Sequence, residues 1–279
     1  MDHTDDPETV VGELTAVRSE LAQLRREVAE LRSDRAAGLG EARDELQTQF
    51  TALERSLQRH TTGTSHNTVR QVEAMWQLFP KVPRIRAQMP PSGGFPMEAR
   101  TLLHLSSVIE EVRPRTILEL GGGTSTIWTG YLTEELGTRI VSIDHLEQYL
   151  HSTWDYVQRH GFADRTECRL APLEPVTVDG EEYPWYSLSA FSDLADVDLL
   201  VVDGPPESTG AKARYPALPL LQDKLSAGAV VVLDDTNRPD ERAILEDWAR
   251  MLAGYAETDQ GLSKLGVLRP QASGGAERL

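Results

Sequence analysis

The fold of this protein is decided by the stretch TILELGGGTST, residues 116–126. A short apolar, β-prone run passes through an acid, Glu119, and is followed by three glycines and then by hydroxyl residues. Glycine adopts backbone angles that side chains forbid, so a ligand can come close to the main chain at Gly121 and Gly123. Hydroxyl residues such as Ser125 favour the start of a helix, whose free N–H groups and dipole would face that ligand. The stretch predicts the first strand, turn and helix of a nucleotide-binding α/β sheet.

A second acid follows at the distance that such a turn requires. The run RIVSID, residues 139–144, predicts a second strand that ends at Asp144, 25 positions after Glu119. An acid at the end of the second strand accepts hydrogen bonds from ribose hydroxyls. The dinucleotide fingerprint would have its third glycine at position 126, where Thr126 stands. Glycine-rich turns also occur where no ligand binds, but two linked signals are much harder to obtain by chance than one.

Composition restricts the partners and the compartment. The chain has 279 residues with 28 basic and 44 acidic side chains, for a formal charge of −16. An acidic surface repels phosphate backbones and anionic lipid, which disfavours nucleic acid and membranes as partners. Cys168 is the single cysteine, so no intramolecular disulfide can form. Without an apolar leader or a membrane-length apolar run, we expect a soluble, cytoplasmic protein.

Residues 8–34 carry a heptad pattern that is typical of a coiled coil. The seam positions are Val10, Leu14, Val17, Leu21, Leu24, Val28 and Leu31. The g positions are then Glu13, Glu20 and Glu27, and the e positions are Arg18, Arg25 and Arg32. In a parallel dimer every g residue faces an e residue of opposite charge on the partner helix. We therefore expect a parallel homodimer, with a trimer or a single surface helix packed on the sheet domain as alternatives.

The chain divides into four predicted segments. Residues 1–60 are a coiled-coil oligomerisation segment, 61–100 a linker and helical cap, 101–270 a sheet domain, and 271–279 a disordered tail. Further strands are expected at 139–143, 165–170, 197–202, 229–233 and 264–268, the last as half of a closing hairpin, with an irregular acidic loop running through 181–186. Strands that alternate with helices indicate an α/β fold. The prediction is a Rossmann-like, doubly wound, mainly parallel seven-stranded sheet, preceded by an α-helical coiled coil.

Acids stand at most of the predicted strand ends, where parallel sheets bind their ligands. They are Glu119, Asp144, Asp203, Asp234 and Asp235. His145, beside Asp144, is predicted to form a wall of the pocket rather than to act as a catalyst. The last three acids offer oxygen ligands that suit a hard cation such as Mg²⁺. The alternative is that Asp203 contacts cofactor or substrate directly, while Asp234 or Asp235 caps the following turn.

The region from about residue 100 to 269 resembles class I S-adenosylmethionine-dependent methyltransferases. The resemblance rests on Glu119-x-Gly121-x-Gly123-x-Ser125, on DGPP at 203–206 and on LDD at 233–235. It implies that S-adenosylmethionine is the cofactor, bound by Glu119, Gly121, Gly123, Ser125, Asp144 and His145. It is also similar to catechol-type, metal-dependent O-methyltransferases, which implies that Asp203, Asp234 and Asp235 bind Mg²⁺, although Asp235 stands where that family has an asparagine. In that family a lysine shortly after the first metal ligand is the base, and Lys212 is the nearest candidate, although it is offset.

These observations lead to one main functional expectation. The protein is expected to be a methyltransferase that acts on a hydroxyl of a small molecule or sugar, so that its partners are a hydroxylated acceptor and a second copy of itself. The alternative is a coiled-coil scaffold or ligand-sensing protein with a catalytically degenerate sheet domain. An NAD-linked oxidoreductase is disfavoured by Thr126 and by the lack of a separate catalytic domain.

Overall fold

A computed structural model describes residues 23–28, 30, 45, 47–52, 65–82, 84–91, 97–258, 261 and 263–271. The chain divides into two compact units, Met1–Asn67 and Thr68–Leu279. In the first unit, all described residues are helical, and the seam positions Leu24 and Val28 are 58% and 44% exposed. The other seam positions of the predicted coiled coil lie outside the described residues, as does the predicted tail apart from Gln271. The coiled coil therefore stays a prediction.

The second unit is built on a seven-stranded sheet with the strand order β3-β2-β1-β6-β7-β9-β8. The strands of the chain are β1 Thr116–Leu120, β2 Arg139–Asp144, β3 Thr166–Leu170, β4 Leu173–Val178, β5 Glu181–Tyr186, β6 Val197–Val202, β7 Leu225–Leu233, β8 Tyr255–Thr258 and β9 Gly266–Pro270. The first five strands of that order run parallel, and β9 and β8 complete the edge as an antiparallel hairpin. The predicted seven-stranded, mainly parallel sheet and its closing hairpin are confirmed.

Helices cover both faces of this sheet. They are α1 over 65–78, α2 Ala99–Val112, α3 Thr124–Leu132, α4 Glu147–Arg159, α5 Ala217–Leu221 and α6 Pro239–Met251. Neighbouring residues of a strand point to opposite faces. Accordingly Ile117 is buried in one cluster with Trp128 of α3, and Leu118 is buried in the other with Trp248 of α6. The fold is doubly wound. In the described part of the chain, no helix is both long and apolar enough to cross a membrane.

The predicted irregular acidic loop through 181–186 is wrong, because β4 and β5 pair as an antiparallel hairpin. Its turn is Asp179-Gly180, whose backbone φ angles of 53° and 85° match the dipeptide that favours tight hairpins. Two prolines, one in each strand, made the sequence of this hairpin resemble a loop, because proline has no N–H to donate to a neighbouring strand. They lie opposite each other in the hairpin, as Pro175 and Pro184. The consequence for function is that Tyr186 is fully buried at the end of β5.

The segment 84–91 lies across helices α3 and α4. The backbone N–H of Arg86 donates to the Tyr131 hydroxyl at 2.7 Å, and its guanidinium donates to the carbonyl of His160 at 2.7 Å. Further along, the Thr124 hydroxyl, at the first residue of α3, donates to the carbonyl of Pro91 at 3.3 Å. The segment therefore reaches the start of α3, directly beside the glycine-rich turn.

Candidate active site

One row of residues across the sheet brings the predicted site residues together. In register across β2, β1, β6 and β7, the row is Ile143, Leu120, Val202 and Leu233. The residue after each of them is Asp144, Gly121, Asp203 and Asp234. Three backbone hydrogen bonds continue the ladder: Gly121 donates to Ile143, Asp203 to Leu120 and Asp234 to Val202, at 2.9, 2.8 and 3.0 Å. The strand order reverses between β1 and β6, which is where open α/β sheets bind their ligands.

The three glycines of the turn have different roles. Gly121 has a φ of +87°, and a Cβ on it would lie 2.8 Å from the carbonyl oxygen of Asp203. A Cβ on Gly122 would lie 1.9 Å from the Ser142 hydroxyl. A Cβ on Gly123 would meet no atom within 4 Å. Gly121 and Gly122 therefore let β1 pack closely against its neighbours, and Gly123 borders open space that a ligand can fill.

Glu119 supports this turn from beneath. Its buried carboxylate accepts a hydrogen bond of 2.5 Å from the Thr126 hydroxyl, which in turn accepts one of 3.0 Å from the N–H of Gly123. Burial raises the pKa of Glu119, against the hydrogen bonds from Ser125 and Thr126. The hydrogen bonds of Glu119 are thus with residues at and beside the turn, and its predicted binding of the cofactor stays a prediction. Thr126, at the third-glycine position of the dinucleotide fingerprint, is the link between Glu119 and the turn.

Asp144 lies at the end of β2 with a fixed carboxylate. Its Oδ1 accepts a hydrogen bond of 2.8 Å from the N–H of Leu146, and burial raises its pKa. His145 Nδ1 lies 3.5 Å from the same oxygen, and the His145 ring packs edge-on against Tyr186 with ring centroids 6.2 Å apart. His145 therefore lies beside Asp144 and Tyr186, and its role as a wall of the cofactor pocket stays a prediction.

Tyr186 also lies at this site, although sequence reasoning assigned it no catalytic, cofactor-binding or metal-binding role. Its hydroxyl is buried and has no hydrogen-bond partner among the residues that the structure describes. A Cβ on Gly204, next to Asp203, would lie 2.3 Å from that hydroxyl. Burial and the charge of Asp144 raise the pKa of Tyr186 far above its usual value, so the hydroxyl stays protonated and can donate. The Asp179-Gly180 turn was the signal that could have found it, since that turn forms the hairpin that carries Tyr186.

The predicted metal-ligating acids form one cluster. Each of Asp203, Asp234 and Asp235 offers a carboxylate oxygen, and these oxygens lie within 4.8 Å of one another. Burial, together with the charge of Asp234, raises the pKa of Asp203 well above its usual value. Burial also raises the pKa of Asp234 to about 6. The pKa of Asp235 is lowered, because a hydrogen bond from Lys264 and the charge of Arg214 outweigh the effect of burial.

Two cations that sequence reasoning did not select lie inside this cluster. Arg214 Nη2 lies 3.2 Å from Asp203 Oδ1 and 3.1 Å from Asp235 Oδ2, and its side chain is 4% exposed. Lys264 Nζ lies 2.8 Å from Asp235 Oδ1. Arg214 follows β6 within the irregular run ARYP, and Lys264 precedes β9, so no spacing rule linked them to the acids. Only the fold brings them together.

Lys212, the predicted base, is held elsewhere. Its ammonium lies 2.9 Å from Asp247 Oδ2 in α6, and its backbone N–H donates to Asp240 at 2.9 Å. The Lys212 side chain is 39% exposed, whereas that of Asp203 is 13% exposed and lies against Arg214. These contacts turn the ammonium towards α6, so Lys212 has no part in the site assembled around Asp203.

Comparison with known proteins finds similarity to methyltransferases. Residues 118–236 match the model of a family described as a methyltransferase domain. Over 128 residues the chain is 31% identical to the O-methyltransferase hkm8 of Aspergillus hancockii, a match that covers 44% of this chain and 43% of that protein. The chain thus spans less than half of the length of this relative. The family match includes the glycine-rich turn, Asp144, Asp203 and the pair Asp234-Asp235.

Solved structures with a similar chain path include two methyltransferases. The O-methyltransferase TomG of Streptomyces achromogenes, involved in tomaymycin synthesis and crystallised with S-adenosylmethionine, is 16% identical with a TM-score of 0.45. The similarity covers 64% of this chain and 82% of that chain. Methyltransferase PaMTH1 of Podospora anserina, bound to S-adenosylhomocysteine, is 14% identical with a TM-score of 0.48, over 72% of this chain and 88% of that chain.

Proposed function

We infer that this protein is a class I S-adenosylmethionine-dependent methyltransferase, because its residues 118–236 match a methyltransferase domain. We propose that it methylates a hydroxyl oxygen of a small molecule or sugar. The observation that carries the proposal is the row at the carboxyl edge of the sheet, where the glycine-rich turn, Asp144 and Asp203 follow neighbouring strand residues. Asp144 would contact the cofactor and Asp203 the acceptor, and they lie on the two sides of the glycine-rich turn. This arrangement suits the transfer of a methyl group between two molecules bound side by side.

The residues around the turn fit S-adenosylmethionine. A Cβ on Gly123 would meet no atom of the described residues within 4 Å beyond its chain neighbours, and the turn leads directly into α3, whose N-terminus favours a negatively charged group of the ligand. Asp144 keeps one oxygen on the N–H of Leu146 and still has lone pairs for ribose hydroxyls. His145 and Tyr186 wall the pocket on the side of Asp144. These residues would hold the adenosine and position the rest of the cofactor towards Asp203.

Asp203 is the residue that we assign to the acceptor. S-adenosylmethionine, when bound, would supply the methyl group and leave as the neutral thioether S-adenosylhomocysteine, while the acceptor oxygen that gains the methyl group would give up its proton to a carboxylate. Asp203 lies at the end of β6, directly across from Gly121, and is positioned to accept that proton. Burial in the cluster keeps water from competing for the carboxylate. Most of the rate enhancement would come from holding the two reactants in line.

The cofactor assignment is tested by titrating the full chain with S-adenosylmethionine and S-adenosylhomocysteine in a calorimeter. We expect micromolar binding of both, because the pocket contacts the adenosine that they share. Asp144→Asn should weaken both by roughly 10- to 100-fold, since the amide keeps the hydrogen bond to Leu146 but loses the charged acceptor for the ribose.

The matched control is Asp155→Asn, which makes the same chemical change at an exposed position of α4. It should leave both affinities unchanged. Absence of binding at millimolar cofactor, or equal effects of the two substitutions, would contradict the proposed cofactor site.

We also propose that the chain forms a parallel homodimer through residues 8–34. The support is the heptad seam and the repeated pairing of glutamate at g with arginine at e. Leu21→Asp places a charge in the seam, and we expect it to convert the dimer to a monomer in light scattering while S-adenosylmethionine affinity stays the same. Glu20→Gln, one residue away at a g position, should leave the dimer intact. A wild-type mass of one chain would refute the dimer.

A further inference from the structure

The acid cluster of Asp203, Asp234 and Asp235 is where a divalent cation would bind. Carboxylate oxygens are the ligands that Mg²⁺ prefers, and three of them lie within 4.8 Å of one another here. By ligand type alone, the cluster meets the requirement for an octahedral site completed by water. Whether the cluster can bind a divalent cation depends on whether its carboxylates are free of other positive charges.

A buried guanidinium already occupies the centre of the cluster. Arg214 Nη2 contacts Asp203 at 3.2 Å and Asp235 at 3.1 Å, and Nη1 donates to the carbonyl of Asp234 at 3.0 Å. Its Nε donates to the carbonyl of Pro205 at 3.4 Å, which fixes the plane of the group. An arginine cannot lose its proton in a protein, so this charge is permanent. The carboxylates of Asp203 and Asp235 and the backbone carbonyl of Asp234 are therefore joined to one fixed cation.

Two further cations contact Asp235. Lys264 Nζ lies 2.8 Å from Asp235 Oδ1, and Arg238 Nη1 lies 3.1 Å from Asp235 Oδ2. Arg214 Nε and Arg238 Nη1 also lie 4.0 and 3.7 Å from Oε1 of the buried Glu241, so these cations are shared with a further acid. A divalent ion at the same oxygens would be in contact range of the Arg214 guanidinium, and like charges repel strongly where water is excluded. The residues present do not fit a divalent cation, although the carboxylates alone would.

We propose that Arg214 takes the place of a divalent metal ion in the acceptor site, where it is a positioning residue that aligns the carboxylate of Asp203, and that the methyl transfer proceeds without metal. This inference rests on the proposed function. A metal would supply a fixed positive charge and orient the reacting oxygen. Arg214 supplies the charge from within the chain, and Asp203, held by it, orients the acceptor hydroxyl by accepting its proton.

The hydroxyl of Tyr186 independently indicates that a polar ligand binds at this point. It is buried and lacks a hydrogen-bond partner among the described side chains and backbone, and such groups are rare unless a ligand or water satisfies them. It lies beside Gly204, the residue after Asp203, and the charges of Asp144 and Asp203 both act on it. A bound molecule that supplies the missing acceptor there would lie next to the carboxylate that Arg214 aligns.

The test is to titrate the full-length protein with Mn²⁺, a spectroscopic substitute for Mg²⁺, and to follow the signal of free Mn²⁺ by electron paramagnetic resonance. Wild type should leave the signal unchanged up to about 1 mM Mn²⁺, because the Arg214 guanidinium lies between the carboxylates that would bind the ion. Arg214→Met, checked for its fold by circular dichroism, should gain one Mn²⁺ per chain with a Kd of roughly 10–100 µM, since it removes the central positive charge and frees the carboxylate of Asp203. Arg214→Lys keeps the charge and should bind none.

Either of two results would overturn the proposal. One is binding of Mn²⁺ by wild type that Asp234→Asn abolishes, a measurement that does not depend on the Arg214 variants being folded. The other is a folded Arg214→Met variant that binds no Mn²⁺, because the guanidinium would then not be what keeps the ion out. Failure of the proposed function would instead be seen as loss of S-adenosylmethionine binding, which the Mn²⁺ titration does not use.

Discussion

Asp203→Asn should reduce kcat by about 10²- to 10⁴-fold, because the amide cannot accept the proton of the acceptor hydroxyl. The affinity for S-adenosylmethionine should stay within about 3-fold, since Asp144 and the glycine turn, rather than Asp203, hold the cofactor. The fold should also survive, because Arg214 keeps its contact with Asp235 at 3.1 Å and its bond to the carbonyl of Asp234. The measurement is transfer of a radiolabelled methyl group to an acceptor found by screening hydroxylated small molecules and sugars.

The control for this substitution lies on the same strand. Asp198→Asn, near the start of β6, changes an acid whose contacts are with the backbone N–H groups of Arg115 and Thr116, at the opposite end of the strand from Asp203. It should leave kcat and cofactor affinity unchanged. If Asp203→Asn lowered kcat and cofactor affinity to the same degree, the separation of roles between Asp144 and Asp203 would be wrong.

Local patterns were sufficient to predict most of the sheet. The parallel strands β1, β2, β6 and β7 each contain a short apolar run, and buried parallel strands are recognisable in that way. The acids after β2, β6 and β7 could be assigned to one edge because all parallel strands end there. The hairpin of β4 and β5 was missed because Pro175 and Pro184 are residues typical of loops. They pair with each other across the hairpin, and this register cannot be predicted from either strand alone.

The electrostatics of the site could not be predicted from spacing. Three acids near two strand ends indicate a metal ion when only the strand ends are considered. The structure instead places cations among these acids. Arg214, in the segment after β6, contacts Asp203, and Lys264, in the loop between β8 and β9, contacts Asp235. Lys212 was chosen for its proximity in sequence. Only Ala213 separates it from Arg214, yet the Lys212 ammonium lies against Asp247 while the Arg214 guanidinium is buried against Asp203.

Gly121→Ala should be the most damaging single-methyl substitution in the turn. Its φ of +87° is in the left-handed region, which costs an L-residue roughly 1–2 kcal/mol. Its new Cβ would lie 2.8 Å from the carbonyl oxygen of Asp203, a backbone atom that cannot rotate away, and such overpacking costs roughly 1–3 kcal/mol. Because the N–H of Asp203 is bonded to Leu120, movement of β6 would also displace the reactive carboxylate. We expect the free energy of unfolding to fall by about 2–4 kcal/mol in urea titration, and kcat to fall with it.

Gly123→Ala adds the same methyl group two residues further along the turn. We expect it to lower cofactor affinity without lowering the stability of the fold. Its φ of 163° is extended backbone that any residue adopts, and its Cβ would meet no protein atom within 4 Å. The free energy of unfolding should therefore change by less than about 0.5 kcal/mol. The affinity for S-adenosylmethionine should nevertheless fall by at least about 10-fold, because the methyl group occupies space that the cofactor needs. Equal destabilisation by both substitutions would contradict the roles given to the two glycines, and unchanged affinity in Gly123→Ala would move the cofactor away from this turn.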